Sequence, residues 1–352
     1  MEGSVKPEHS RDSHTFEGYL VMKLHLWFVL AVSLIVAPVA NAQQLELKKG
    51  DHICIIGGTL AERMQHYGWL ETLIQARFPE HNLVIRNLGY SGDEIDGWQN
   101  PNHRMRSMSF GSHDEWLSGN APCPQPGKLS SRDKEGGKKV RENRFELTNT
   151  QADVIFAFYG YNESWAGEAG LPKFQENVAA FIKHTLAQKY NGQSAPKLVL
   201  FSPIAHEFLP NDPNLPSKAD VDASNARLKM YSDAMGEVAK ANGIQFVDLF
   251  TLTLKADGWL SQRNTTFFTQ LTSLTINGVH QSQQGDEPIA SLAVAELFQI
   301  DDFDSDPVSG KPIAATRAAV LDKNFYWFNR YRVTDGYSTY RSKSTRLNSS
   351  HG

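Results

Sequence analysis

Residues 51–74 read DHICIIGGTLAERMQHYGWLETLI. The run from Asp51 to Ile56 is short and lacks the alternation of a half-exposed strand, so it reads as a strand covered on both faces. Gly57-Gly58 closes it, and Leu60, Met64, Tyr67, Leu70 and Ile74 then recur on one helical face. The unit is strand, tight turn, helix. Four more runs of the same kind come later: Leu83–Ile85 before Asn87-Leu88-Gly89, Val154–Phe158 before Gly160, Leu198–Phe201 before Ser202-Pro203, and Phe246-Val247 before Asp248. Helical stripes lie between and after them. One carries Phe174, Val178, Phe181, Ile182 and Leu186; another carries Leu228, Tyr231, Met235 and Val238 and ends at Asn242-Gly243. A last one carries Ile289, Leu292, Ala293 and Leu297. Alternating strands and helices predict an α/β fold with a five-stranded parallel sheet covered on both faces. Such sheets bind ligands beyond the carboxyl ends of their strands, which puts the function in the polar turns just named.

Composition narrows the class. The 352 residues carry 35 Lys and Arg against 39 Asp and Glu, with 40% hydrophobic and 21% charged residues. This is globular composition, and it excludes a disordered, collagen-like or strongly basic nucleic-acid-binding chain. Two cysteines, Cys54 and Cys123, are too few for a disulfide scaffold and form no CxxC motif, although a single bridge between them stays open.

Both ends read as foreign to the fold. Lys23, the apolar run Leu24–Val39 and Ala40-Asn41-Ala42 together describe a secretory signal peptide over 22–42, cleaved after Ala42. The competing reading is a membrane anchor, but the run is shorter than a span of ~20 residues and Pro38 interrupts it. Met22 is the expected start, with 1–21 as upstream sequence. Residues 341–352 look like a translated sequencing-adapter read-through, so the natural chain is expected to continue past Tyr340. Removing both ends leaves 29 Lys and Arg against 35 Asp and Glu, a poor match to anionic polymers. The expected location is secreted or periplasmic, with no membrane span once the signal is removed and no nucleic-acid partner.

The expected domain covers 43–300, with a C-terminal extension over 301–340 and a long surface loop over 98–151 whose middle is rich in Pro, Gly, Lys and Ser. Trp98, Phe110 and Trp116 at its base read as packing residues before ligand contacts. Asp302, Asp304 and Asp306 alternate like a calcium loop, but Pro307 and Ile313 stand where such a loop needs Gly and Glu. Asn264-Thr265-Thr266 is a glycosylation sequon, idle in a bacterial chain. No H-E-x-x-H or G-x-G-x-x-G occurs, and no metal or cofactor is expected.

Four turns carry the chemistry: Gly57-Gly58-Thr59, Gly89-Tyr90-Ser91-Gly92-Asp93, Gly160-Tyr161-Asn162-Glu163 and Asn277-Gly278-Val279-His280. In this order and spacing they resemble the four blocks of the SGNH (GDSL-like) hydrolase family, over about Asp51 to Ile300. The resemblance implies a three-layer, flavodoxin-like α/β/α sandwich and ester hydrolysis by a hydroxyl nucleophile. Thr59 then matches the nucleophile and His280 the base. The backbone N–H groups of Thr59 and Gly92 and the amide of Asn162 match the oxyanion donors. The residue types suit these tasks: ester cleavage needs an attacking oxygen, a base near neutral pKa and uncharged donors for the oxyanion.

Two positions depart from the family pattern. Gly-Asp-Ser is replaced by Gly57-Gly58-Thr59, whose β-methyl stiffens the side chain and crowds attack. The acid expected three residues before the histidine is Asn277, which cannot balance an imidazolium. Asp286 or Glu163 are the alternative acids. His206 and Glu207, after the fourth strand, either contact substrate or line a polar turn. The segments 57–66, 158–164 and 275–280 look like a divergent GDSL-like branch found at the front of large secreted bacterial proteins, which can continue into dehydrogenase-like and haem-binding segments. This chain has no CxxCH. The expected substrate is a small-molecule or carbohydrate ester, an acyl ester on a carbohydrate above others. The rival expectation is a catalytically impaired carbohydrate- or ligand-binding module of a larger protein.

Overall fold

The computed structural model describes residues 1, 3, 44–98, 112–119, 149–210, 212–262, 273–300 and 313–331. The chain divides at Ala40/Asn41 into two units, and every described strand and helix belongs to the second. The signal segment, Phe110 and most of the long connection, the Asn264 sequon, the Asp302–Asp306 turn and the tail from 341 lie outside the described residues.

Five strands form one sheet: β1 (His52–Gly57), β2 (Val84–Asn87), β3 (Val154–Phe158), β4 (Lys197–Phe201) and β5 (Gln245–Val247). Their order is β2-β1-β3-β4-β5 and every pair is parallel. The register puts Gly57 opposite Phe158 and Phe158 opposite Phe201, so the first, third and fourth strands end level at one edge.

Eight α-helices accompany the strands among the described residues: α1 (Thr59–Tyr67), α2 (Trp69–Arg77), α3 (His113–Leu117), α4 (Gly167–Leu186), α5 (Lys218–Ala241), α6 (Leu249–Gln262), α7 (Asp286–Phe298) and α8 (Ala314–Tyr331). Successive strand residues point to opposite faces, and two cores result. Ile53, Ile55, Phe156, Phe158, Val199 and Phe201 pack with α1, α2 and α7 through Met64, Leu70, Ile74, Ile289 and Leu297. Cys54, Ile56, Ile155, Ala157 and Leu200 pack with α4 and α5 through Phe174, Val178, Phe181, Tyr231 and Met235. The result is the three-layer α/β/α sandwich.

One feature differs from the sequence pattern. The single stripe from Leu60 to Ile74 is two helices, broken at Gly68, whose φ of 74° ends α1 and starts α2. A Cβ there would also press on Val320 at 3.1 Å, so glycine lets α8 approach. The aromatic segment from Phe325 lies within α8, which docks on the domain. Trp327 is 4% exposed and donates to the Asn87 carbonyl at 2.7 Å; Lys323 donates to that of Ile85 at 2.8 Å and Asn324 to that of Gln65 at 3.1 Å. Lys323 also forms a half-buried ion pair with Glu71 at 2.7 Å. Trp116 is buried edge-on to Trp327, and Trp98 stacks on His184 at 4.1 Å, so both are packing residues. No helix of the described residues is long and apolar enough to cross a membrane.

Candidate active site

The level edge of β1, β3 and β4 gathers the polar turns. Gly57 has a φ of 120°, and a Cβ there would lie 2.0 Å from the Phe158 carbonyl oxygen, so only glycine lets β1 and β3 close up at this point. Gly58 N–H donates to that same carbonyl at 3.1 Å, and the chain swings directly into α1. Thr59 is the first residue of the helix, with its hydroxyl at the N-terminal end of α1.

The second turn is hung on the first. Tyr90 N–H donates to the Gly57 carbonyl at 2.7 Å, and Asp93 N–H closes the turn on Tyr90 at 2.9 Å around Gly92, whose φ is 78°. The third turn comes after β3, where Asn162 leads into one turn of 3₁₀ helix, Glu163–Ala166. Glu163 joins these two turns. Its carboxylate accepts from Ile95 N–H at 2.8 Å and from Gly160 N–H at 2.9 Å. Burial of that carboxylate raises its pKa to about 7, against the partly offsetting bonds from the two backbone donors.

His280 sits on a small hairpin. Ile276 N–H donates to the His280 carbonyl and Ser282 N–H to that of Leu274, each at 2.9 Å, around Asn277-Gly278-Val279. The Asn277 side-chain oxygen accepts from His280 N–H at 3.1 Å and lies 3.0 Å from His280 Nδ1. An oxygen already facing backbone donors can only accept, so Nδ1 carries the imidazole proton and Nε2 keeps a lone pair. Burial first, and the Arg63 charge second, hold the His280 pKa below its ordinary value.

The hairpin is anchored from two sides. Glu207 accepts from Leu274 N–H at 2.9 Å and Thr275 N–H at 2.8 Å, and its own N–H donates to the Gly278 carbonyl at 2.8 Å. Gln281 reaches across to donate to the Leu60 carbonyl at 3.1 Å, one residue past Thr59. Thr59, Asn162, Tyr161, Glu163, Ser202 and His280 thus line one pocket.

A model of the GDSL-like lipase/acylhydrolase family matches residues 57–287. The chain belongs to this family. The five-stranded parallel sandwich agrees with that membership. Among relatives, a GDSL esterase/lipase of Arabidopsis thaliana, CPRD49, is 26% identical over 147 residues, covering 40% of this chain and 52% of the relative. The chain therefore spans about half the length of the curated relative it matches. Solved structures similar to it include a gut microbial diltiazem-metabolizing enzyme, at 14% identity with a TM-score of 0.45 over 73% of this chain and 49% of that one. A catalytic mutant of an acetylxylan esterase from Geobacillus stearothermophilus is also 14% identical, with a TM-score of 0.44 over 72% of this chain and 96% of that one.

Within this GDSL-like frame the structure places each expected residue. Thr59, Asn162 and His280 share the pocket; Gly92 lies on the turn beside it. No hydrogen bond joins the Thr59 hydroxyl to His280 among the described residues. Asn277 is the group bonded to the imidazole. Asp286 is elsewhere: it starts α7 and accepts from Trp69 N–H at 3.4 Å, with burial raising its pKa to about 7. His206 packs its ring under Gly278, where a Cβ would come within 2.6 Å. Arg63 escaped the sequence reading. It lies one turn beyond Thr59 on α1, a spacing that could have flagged it, and donates to the Gln281 carbonyl at 3.0 Å.

Proposed function

We propose that this chain is a secreted SGNH-type carboxyl-ester hydrolase with Thr59 as nucleophile and His280 as base. The observation that carries the reading is the shared pocket: Thr59, Asn162 and His280, from three distant segments, meet beyond the carboxyl ends of the strands. Asn277 fixes the tautomer in which Nε2 accepts a proton. On substrate binding, Thr59 and His280 close to hydrogen-bond range and Nε2 takes the hydroxyl proton as the oxygen attacks the carbonyl carbon. The N–H groups of Thr59 and Gly92 and the Asn162 amide receive the oxyanion. His280 returns its proton to the leaving alcohol, and water then releases the acyl group by the same steps. The substrate is an acyl ester on a carbohydrate, in keeping with the secretory leader read at 22–42.

A second reading has its own support. The neutral Asn277 beside the imidazole and a Thr59 hydroxyl not bonded to His280 favour a binding module that keeps the pocket without turnover. Hydrolysis of short p-nitrophenyl esters by the parent and by His280→Ala separates the two. The enzyme reading expects a large loss in the variant; equal rates would leave the binding module standing.

A further inference from the structure

Trp165 is the exposed aromatic nearest the pocket in sequence and is 64% exposed. It is not a stray surface residue. Its backbone N–H donates to the Asn162 carbonyl at 3.2 Å, so the residue rides on the same turn as the proposed oxyanion amide. The Arg227 guanidinium, from α5, lies over the ring at 4.8 Å from its centre. Tyr161, which lines the pocket, stands edge-on to the indole at 6.4 Å and is seated on Ala205, Leu228 and Phe250. The cation lies over one indole face while the residue stays 64% exposed, and Tyr161 links it to the pocket.

We propose that Trp165, Arg227 and Tyr161 form a platform for the pyranose ring of an acylated sugar whose ester enters the Thr59–His280 pocket. The proposal rests on the hydrolase reading and adds its specificity element. A pyranose has one apolar C–H face and a rim of hydroxyl groups. The C–H face suits an open indole face, where each weak C–H contact adds to the area removed from water. Arg227 lies over the ring and is itself tied to the Ala223 carbonyl at 3.3 Å, so it backs the indole rather than meeting the sugar. The guanidinium behind the ring also holds the indole in place. A protein partner fits less well, because one indole among polar neighbours is far below the roughly 1,000 Å² of a specific interface.

The test compares a panel of acetylated methyl pyranosides with ethyl acetate, an ester without a ring. For the best sugar ester, the ratio of its kcat/KM to that of ethyl acetate should fall about tenfold in Trp165→Ala, through KM, the scale of one lost stacking contact. Trp165→Phe should restore most of it, and Arg227→Met should lower it in the same direction. An unchanged ratio, or equal losses on both esters, would show that Trp165 only supports the Asn162 turn and would overturn the proposal. A ratio that falls for phenyl acetate alone would overturn it in favour of an aromatic leaving group. If no ester is cleaved, the hydrolase reading fails and the platform is judged by calorimetric titration with the acetylated pyranosides. Binding weakened about tenfold by Trp165→Ala supports the platform on the same scale; no binding, or equal binding, overturns it.

Discussion

Asn277 Oδ1 lies 3.0 Å from His280 Nδ1, so a neutral amide stands directly against the imidazole of the proposed base. The amide orients the ring and sets its tautomer. It adds no charge to stabilise the imidazolium that forms when Nε2 takes a proton.

Asn277→Asp should therefore raise kcat on short-chain esters, by at least tenfold and at most the ~10⁴ seen when the reverse change is made in a serine protease. The carboxylate should also raise the His280 pKa, since an opposite charge favours the protonated ring. The acid limb of the parent's pH–rate profile is expected below the ordinary histidine value of 6.5, and should move upward in the variant. A profile that stays in place would separate Asn277 from the reacting histidine.

Thr59→Ser removes the methyl that crowds attack and keeps the hydroxyl. Its kcat should equal or exceed that of the parent, while Thr59→Ala should fall by several orders of magnitude. Single-turnover measurements on p-nitrophenyl acetate would show whether the acyl burst is lost with the hydroxyl.

Glu163 ties the Gly92 turn to the Asn162 turn through two backbone donors. A glutamine has one acceptor, so Glu163→Gln turns an amide N–H₂ toward one of those donors. The unmet group should cost about 1–3 kcal/mol in urea denaturation. Loosened oxyanion donors should lower kcat on the order of tenfold to a hundredfold, with KM little changed.

Burial raises the Asp286 pKa from an ordinary 3.8 to about 7. The folded chain thus holds this proton more tightly than the unfolded one, and stability falls as pH rises from about 3.8 through about 7. Glu163 and Glu287, both raised to about 7 from 4.5, act in the same direction. Melting temperature should drop between about pH 5 and pH 8. In Asp286→Asn that slope should flatten, and the variant should melt above the parent at the alkaline end.

The five strands were legible because each is an apolar run stopped by a polar turn, which a doubly covered parallel strand requires. The break at Gly68 was not. The helical phase of Leu60, Met64, Tyr67, Leu70 and Ile74 continues across it, and α1 is ended by the glycine's left-handed turn and the approach of α8. At the site, block spacing named Thr59, Asn162 and His280, which the fold brings to one pocket. The carboxylates were not readable in the same way. Glu163 bonds to Ile95, Glu207 to Leu274 and Thr275, and Asp286 to Trp69, partners 67 to 217 residues away. Chain spacing carries no trace of such bonds, so an acid's place beside or away from the histidine had to come from geometry.

β2 is the outermost strand beside β1, and its pairing leaves the carbonyls of Ile85 and Asn87 pointing away from the sheet, because Val84 and Leu88 are the residues whose N–H groups bond toward β1. Lys323 and Trp327 of α8 take up those two carbonyls. An open strand margin is a template on which another chain can add a strand. With the helix in place those two carbonyls are closed to a further strand, and a chain ending before Ala314 would be expected to keep its pocket residues while pairing with its own kind along β2.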